Sequence, residues 1–137
     1  MRLNMVTLAL VLATVVFLVL HANLVEWTPV KMAGAALAVF SVAMLAVARL
    51  QLGASFAIKA KARTLVTTGI YSKIRNPIYV FGVVMLAGFV LVLHRPVLWF
   101  AVAAIVIMQL VRARREATVL EAAFGDAYRE YRRKTWF

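Results

Sequence analysis

Four long stretches of the chain carry no charged side chain, and this feature limits the possible folds more than any other. They cover residues 3–25, 32–48, 76–94 and 96–111, with lengths of 23, 17, 19 and 16 residues. Crossing about 30 Å of hydrocarbon takes about 20 helical residues. Because backbone groups in lipid must be hydrogen-bonded within their own segment, such stretches form helices rather than open strands. The spacing predicts four transmembrane helices.

The composition excludes several other classes of protein. The 137 residues are 65% hydrophobic and 15% charged, whereas soluble domains are roughly half apolar and about a quarter charged. Apolar residues are too plentiful for a disordered chain. The absence of cysteine rules out disulfides and thiolate catalysis. His21 and His94 fit no ligand spacing, so we expect no metal site. The length predicts a single membrane domain over residues 1–137.

The sequence has 16 Lys and Arg against 5 Asp and Glu. Six of the cations and no acid lie between the second and third apolar stretches, whereas the tail from residue 112 has seven cations and four acids. Excess cations mark cytoplasmic loops, so both termini are expected in the cytoplasm. We interpret the basic charge as topology bias and attraction to anionic membrane lipids, not as a nucleic-acid surface. The predicted all-α polytopic architecture has transmembrane helices at 3–25, 29–49, 77–94 and 96–113, a cytosolic loop at 50–76, and a cytosolic tail at 114–137 carrying an amphipathic helix.

The first polar stretch ends in a corner that predicts a helix start. A residue before proline is pushed away from helical geometry, so Asn76 lies outside the third helix. Asn is a favoured N-cap and Pro a favoured first residue, so the helix is expected to begin at Pro77. Its free N–H groups, with Arg75 beside them, predict an anion site. Earlier in this stretch, Thr68-Gly69 predicts a turn.

The second polar stretch is the tail, where a stripe of residues spaced by four shares one helix face. Its polar start, Arg112 and Glu116, is followed by Leu120 and Phe124. Gly125 is expected to end this helix and Asp126 to begin another. By itself the stripe is also explained by an Arg–Glu pair on a solvated helix.

Together the two polar stretches resemble the integral-membrane methyltransferases of the isoprenylcysteine carboxyl methyltransferase and phospholipid methyltransferase superfamily. The resemblance covers roughly residues 50–135, with one hydrophobic hairpin between two long motifs. The first motif matches at Leu65, Val66, Gly69, Tyr71, Arg75, Asn76, Pro77 and Tyr79, and the second at Arg112, Glu116, Leu120, Phe124, Gly125, Tyr128 and Tyr131.

The resemblance implies S-adenosylmethionine as methyl donor, held on the cytosolic side. The family arginine matched by Arg112 faces the substrate, and the tail glutamate matched by Glu116 contacts the cofactor; both are our catalytic candidates. We add Arg75 to the cofactor set because its charge suits the cofactor's carboxylate. The expected cofactor-binding residues are Arg63, Thr64, Leu65, Val66, Tyr71, Arg75, Asn76, Pro77, Ile78, Tyr79 and Glu116.

Three positions depart from the family pattern. Asn76 and Arg63 stand where relatives have His, and Ala117 stands where many have a second Glu. Because Asn76 cannot titrate, the residues favour an anionic acceptor oriented by Arg112, such as an isoprenylated cysteine or prenylated peptide. The alternatives are phosphatidylethanolamine N-methylation and a non-catalytic four-helix membrane scaffold. A small transporter is disfavoured, since the apolar stretches hold no acidic residue.

Overall fold

The computed structural model describes residues 5–22, 26–53 and 65–137, and within these ranges the chain is helical with no strand. A short 3₁₀ helix at Gly69–Ser72, called the Tyr71 turn below, precedes α3. The predicted helix edges at 3–4 and 23–25 and the loop residues 54–64 lie outside the described residues. The α-helices are α1 (Met5–Ala22), α2 (Pro29–Leu52), α3 (Pro77–Leu93), α4 (Leu98–Phe124) and α5 (Asp126–Lys134).

Local sequence signals set the helix ends. Thr28 occupies the N-cap of α2, and its hydroxyl accepts a first-turn N–H at 3.4 Å. Helix α3 begins at Pro77, as predicted. Gly125 ends α4 with a φ of +52°, a left-handed value that glycine adopts without a Cβ penalty, and α5 follows at once.

The fourth apolar stretch and the tail differ from the expected arrangement of a span followed by a separate helix. They form one continuous helix of 27 residues, α4, which breaks only at Gly125. No glycine or proline interrupts the sequence between the apolar half and the charged half, so nothing ends the helix there. Arg112 and Glu116 are therefore carried on the same rigid element as the apolar half.

Helices α2 and α3 form the most extensive helix pair, and small residues bring their backbones together. A Cβ on Gly88 would lie 2.6 Å from the Gly34 carbonyl oxygen and 2.9 Å from the Ala38 nitrogen. The small residues of Gly34-x-x-x-Ala38 permit this close approach, and Gly88 is their partner on α3. Around it, Val42, Leu45 and Met85 form a buried cluster.

The all-helical class is confirmed, whereas the count of four transmembrane helices is not. Among the described residues, one helix, α2, is both long enough and apolar enough to cross a membrane. Helix α3 is equally apolar in character but has 17 residues.

Candidate functional site

The corner before α3 is held in place by the end of the chain segment that follows α5. Residues 135–137, called the strap, run beside residues 73–76, with one bridge between Ile74 and Trp136. The Trp136 N–H donates to the Lys73 carbonyl at 2.7 Å, and the Arg75 N–H donates back to the Trp136 carbonyl at 3.0 Å. The Asn76 N–H donates to Phe137 O at 2.9 Å. Three backbone hydrogen bonds thus fix the corner.

The structure differs from two sequence expectations about the corner. Asn76 stands at the N-cap position of α3, but its side chain makes no capping hydrogen bond. The α3 N–H groups expected to bind an anion include those of Tyr79 and Val80, and both donate to the Asn76 carbonyl. The N–H groups of Arg75 and Asn76, which precede α3, donate to carbonyl oxygens of the strap. These four N–H groups are therefore already bonded.

The Tyr71 turn carries the tyrosine of the first motif into the interior. Gly69 starts it with a φ of +62°, which confirms the predicted glycine turn. The Ile70 N–H donates to Gln51 Oε1 at 2.8 Å, which ties the turn to the end of α2. Tyr71 is 5% exposed, and its carbonyl accepts the Tyr131 hydroxyl of α5 at 2.7 Å. Helices α2 and α5 therefore both position Tyr71.

The two motifs meet at a hydrogen bond between α3 and α4. The Tyr79 hydroxyl donates to Glu116 Oε1, across 37 residues of sequence. Glu116 also lies within electrostatic range of Tyr71. The corner and the tail acid therefore face one region, as the sequence predicted. In a non-catalytic scaffold the two motifs need not lie close together, but here they are joined by a hydrogen bond.

Arg112 lies one helical turn before Glu116, exposed and within electrostatic range of Tyr79. In the described part of the chain, Glu116 forms no ion pair with Arg112, and its Oε1 accepts the Tyr79 hydroxyl instead. The simple explanation of the stripe, an Arg–Glu pair on a solvated helix, does not describe this structure. Arg112 remains accessible to a ligand beside the Tyr79–Glu116 bond.

Two polar side-chain atoms of the first motif are buried without a hydrogen-bond partner. They are Arg75 Nε, in the corner, and the hydroxyl of Tyr71, which lies within electrostatic range of Tyr79 and Glu116. Burial without a partner costs about 1–3 kcal/mol for each group, so such atoms indicate a site that a ligand completes. The two atoms are hydrogen-bond donors, and the Glu116 carboxylate is an acceptor. This donor set fits S-adenosylmethionine, which offers a carboxylate to Arg75 and ribose hydroxyls to Glu116.

Burial raises the pKa of the Tyr71 hydroxyl, with Tyr131 and Glu116 adding to the rise and Arg49 opposing it. Burial likewise raises the pKa of Tyr131. Both hydroxyls therefore keep their protons at neutral pH, so Tyr71 is a donor to a ligand and Tyr131 a donor to the turn. Neither tyrosine is a general base at that pH.

These raised pKa values predict how stability depends on pH. Below pH about 10, tyrosines are protonated in folded and unfolded chains alike, so stability is unaffected. Above pH about 10, the unfolded chain loses protons that the folded chain retains, and stability falls. The thermal midpoint in detergent should be flat from pH 7 to about 9 and should decrease beyond about 10. In Tyr131→Phe the decrease should be shallower. A thermal midpoint that increases as the pH is raised beyond 10 would contradict the raised tyrosine pKa values.

The other expected cofactor residues are partly or fully buried where the structure describes them. Leu65 and Val66 are half-buried in an extended segment ahead of the Tyr71 turn, Ile78 is half-buried and Pro77 is fully buried. Arg63 and Thr64 lie outside the described residues. No group of three potential metal-ligating side chains occurs in the parts of the chain that the structure describes.

Three residues that the sequence analysis did not select also belong to this region. Arg49 and Gln51, at the end of α2, face the Tyr71 turn, and Tyr131 reaches it from α5. A cation at the end of an apolar helix is usually interpreted as an interfacial anchor, so Arg49 gave no functional signal. Tyr131 was visible as part of the second motif, but its partner is a backbone carbonyl, which no side-chain pattern reveals.

Comparison with known proteins adds one positive match. The family model described as phospholipid methyltransferase matches residues 28–127, which include α2, the Tyr71 turn, α3, α4 and the Tyr79–Glu116 contact. No curated protein and no solved structure matches the chain. The matched segment covers well over half of the sequence, and the chain belongs to the phospholipid methyltransferase family.

Proposed function

We propose that the protein is an integral-membrane methyltransferase that uses S-adenosylmethionine to methylate a lipophilic acceptor at the cytosolic surface. The observation that carries this proposal is the hydrogen bond from Tyr79 to Glu116. It joins the two motifs, and the unpaired Tyr71 hydroxyl lies within electrostatic range of both of its partners. Family membership supports the reaction class.

The proposed topology has α1, α2, α3 and the first half of α4 in the membrane and both termini in the cytoplasm. Large apolar side chains point outward on three of these helices: Val19, Phe40 and Phe100 are 64%, 53% and 81% exposed. In water such surfaces would be unfavourable, whereas lipid accommodates them. The cations at the end of α2, in the corner and in the second half of α4 then lie on one side, as the charge bias of cytoplasmic segments requires.

The chain's residues bind and orient the donor. When bound, S-adenosylmethionine supplies a methyl group that its sulfonium already activates, so the protein needs no nucleophile of its own. Arg75 would hold the carboxylate of the bound donor, and the neutral Tyr71 hydroxyl would donate a hydrogen bond to the same molecule. Glu116, oriented by Tyr79, accepts hydrogen bonds from the ribose. The apolar side chains of Leu65, Val66 and Ile78 exclude water from the reacting atoms.

The proposed acceptor is a lipophilic carboxylate such as an isoprenylated cysteine, which reaches the site from the bilayer. A carboxylate is already ionised at neutral pH, so it needs a cation for orientation and no general base. Arg112 offers a planar donor fork for this purpose, exposed beside Tyr79. Asn76, which cannot titrate, is compatible with such an acceptor.

The second candidate acceptor is an ethanolamine phospholipid, which the name of the matched family favours. Its amine must lose a proton before or during methyl transfer. Glu116 is the carboxylate nearest this reaction, and Arg112 would then bind the lipid phosphate. The two acceptors thus assign different tasks to the same pair of residues.

An assay of radiolabelled methyl transfer against a panel of acceptors distinguishes the two. The panel contains an isoprenylated cysteine, phosphatidylethanolamine and a small thiol. Arg112→Ala should raise the acceptor KM about 10- to 100-fold, because a charge-assisted hydrogen bond is lost. Donor affinity should change less than about twofold. Arg114→Ala, an exposed arginine on the opposite side of α4, is the matched control and should behave as the unmodified protein.

If the protein methylates no member of the panel and binds no donor, the enzyme proposal fails, and the scaffold hypothesis takes its place. If Arg112→Ala and Arg114→Ala affect the acceptor KM equally, Arg112 does not face the acceptor. Each of these outcomes contradicts a different part of the proposal.

A further inference from the structure

The segment after Gly125 contacts the site from outside the membrane helices. Tyr128 and Tyr131 are 3% and 8% exposed, although α5 is otherwise rich in charged, exposed residues. Tyr131 donates to the Tyr71 carbonyl at 2.7 Å, and this hydrogen bond is buried. The strap adds its three backbone hydrogen bonds to residues 73, 75 and 76. The tail thus holds residues 71–76 at four points.

These contacts divide the corner into two sets of polar groups. The backbone groups of Tyr71, Lys73, Arg75 and Asn76 are satisfied by the tail. The side-chain donors of Tyr71 and Arg75 are buried and unpaired. The tail therefore fixes where these donors lie but leaves their hydrogen-bonding capacity to a ligand.

The sequence of the corner does not fix this geometry by itself. The Tyr71 turn is one 3₁₀ helix of four residues, held by the Ser72 hydroxyl on the Gly69 carbonyl and by Gln51 of α2. The N-cap side chain of α3 adds no capping bond. Without the tail so short a turn has fewer fixed contacts, and a ligand would have to order more of it on binding. A turn that the tail has already ordered avoids this entropic cost, and the ligand therefore binds more tightly.

We propose that Tyr131 is a positioning residue that sets donor affinity by fixing the Tyr71 turn, with the strap as its second support. The proposal rests on the proposed function, because it takes the ligand of Tyr71 and Arg75 to be S-adenosylmethionine. Its hydroxyl is bonded to the backbone carbonyl of Tyr71, through which it acts on the turn.

The first test compares Tyr131→Phe with Tyr128→Phe by calorimetric titration of the purified protein in detergent with S-adenosylmethionine. Tyr131→Phe should raise the Kd about tenfold, because a buried carbonyl loses its donor and the turn loosens. The acceptor KM and the rate at saturating donor should change less than about twofold. Tyr128 lies on the same helix and makes no hydrogen bond to the turn within the described residues, so Tyr128→Phe should leave the Kd unchanged.

The second test removes one backbone hydrogen bond without touching a buried side chain. Trp136→Pro deletes the N–H that donates to the Lys73 carbonyl, whereas Trp136→Ala keeps it. The Trp136 side chain is 65% exposed, so its loss alone should be tolerated. Trp136→Pro should raise the donor Kd several-fold over Trp136→Ala. Amide exchange of residues 69–76 should accelerate in Trp136→Pro and Tyr131→Phe, even without ligand.

The two possible failures are distinguishable. If the unmodified protein binds no S-adenosylmethionine, the proposed function fails. If it binds, and Tyr131→Phe and Trp136→Pro match their controls in Kd and in amide exchange, the tail does not position the site. A Tyr131→Phe protein that does not fold leaves the Trp136 pair to decide.

Discussion

Replacing Glu116 with glutamine should weaken binding of S-adenosylmethionine on the order of 100-fold. The carboxylate is the acceptor that α4 presents to the region around Tyr71 and Tyr79. A hydrogen bond to a charged group contributes about 1.5–3 kcal/mol, and loss of charge weakens each bond to the ribose. Calorimetric titration in detergent measures the effect. Tyr79→Phe removes the hydroxyl that orients Glu116 but keeps the carboxylate. The loss of donor affinity in this variant should therefore be smaller, about tenfold.

The matched control for this prediction is Glu121→Gln. Glu121 lies on the same helix, but its carboxylate pairs with Arg129 at 2.8 Å, away from the site. Arg129 is exposed and Glu121 is partly exposed, and ion pairs open to solvent contribute little to stability. Glu121→Gln should therefore bind the donor as the unmodified protein does. If the two glutamine variants bind equally well, Glu116 has no part in donor binding.

The second large effect is expected where α2 and α3 touch. In Gly88→Ala the new methyl group would lie 2.6 Å from the Gly34 carbonyl oxygen, closer than real contacts allow. Both neighbours are backbone atoms of α2, so the helices must move apart. We expect a loss of about 2–4 kcal/mol in unfolding free energy, since overpacking at a backbone contact is poorly relieved. Donor binding should fall with it, because α2 supports the Tyr71 turn through Gln51 and α3 carries Tyr79.

Gly82→Ala provides the control in the same helix. A Cβ at Gly82 meets nothing within 4 Å. Alanine is a better helix former than glycine by up to about 1 kcal/mol, so this variant should be equally or more stable. The thermal midpoints of the two variants in detergent give the comparison. A Gly88→Ala protein as stable as Gly82→Ala would contradict the close packing of α2 and α3.

Much of the local structure was predictable because single residues determine it. Pro77 starts α3, Gly125 ends α4 and Gly69 forms its turn, each for a conformational reason that acts within a few residues. The contact between α2 and α3 could be predicted only in part. Gly34-x-x-x-Ala38 predicts close approach, but the pattern does not name Gly88 as the partner.

The features that escaped prediction depend on backbone pairing between distant segments. The strap bonds to residues 73–76 through N–H and carbonyl groups, which every residue possesses, so its sequence carries no signal. Arg49 was missed for another reason: its position at the end of an apolar helix already has an ordinary explanation.

Within the site, the pairing of Tyr79 with Glu116 follows from the order of the two motifs, but their union into one donor site remains our proposal. Amide hydrogen exchange in detergent, with and without saturating S-adenosylmethionine, tests it most directly. We predict slower exchange in two segments together, residues 69–80 and 112–120, and no change in residues 29–45. Protection of only one segment, or of neither at saturating donor, would contradict a single site shared by both.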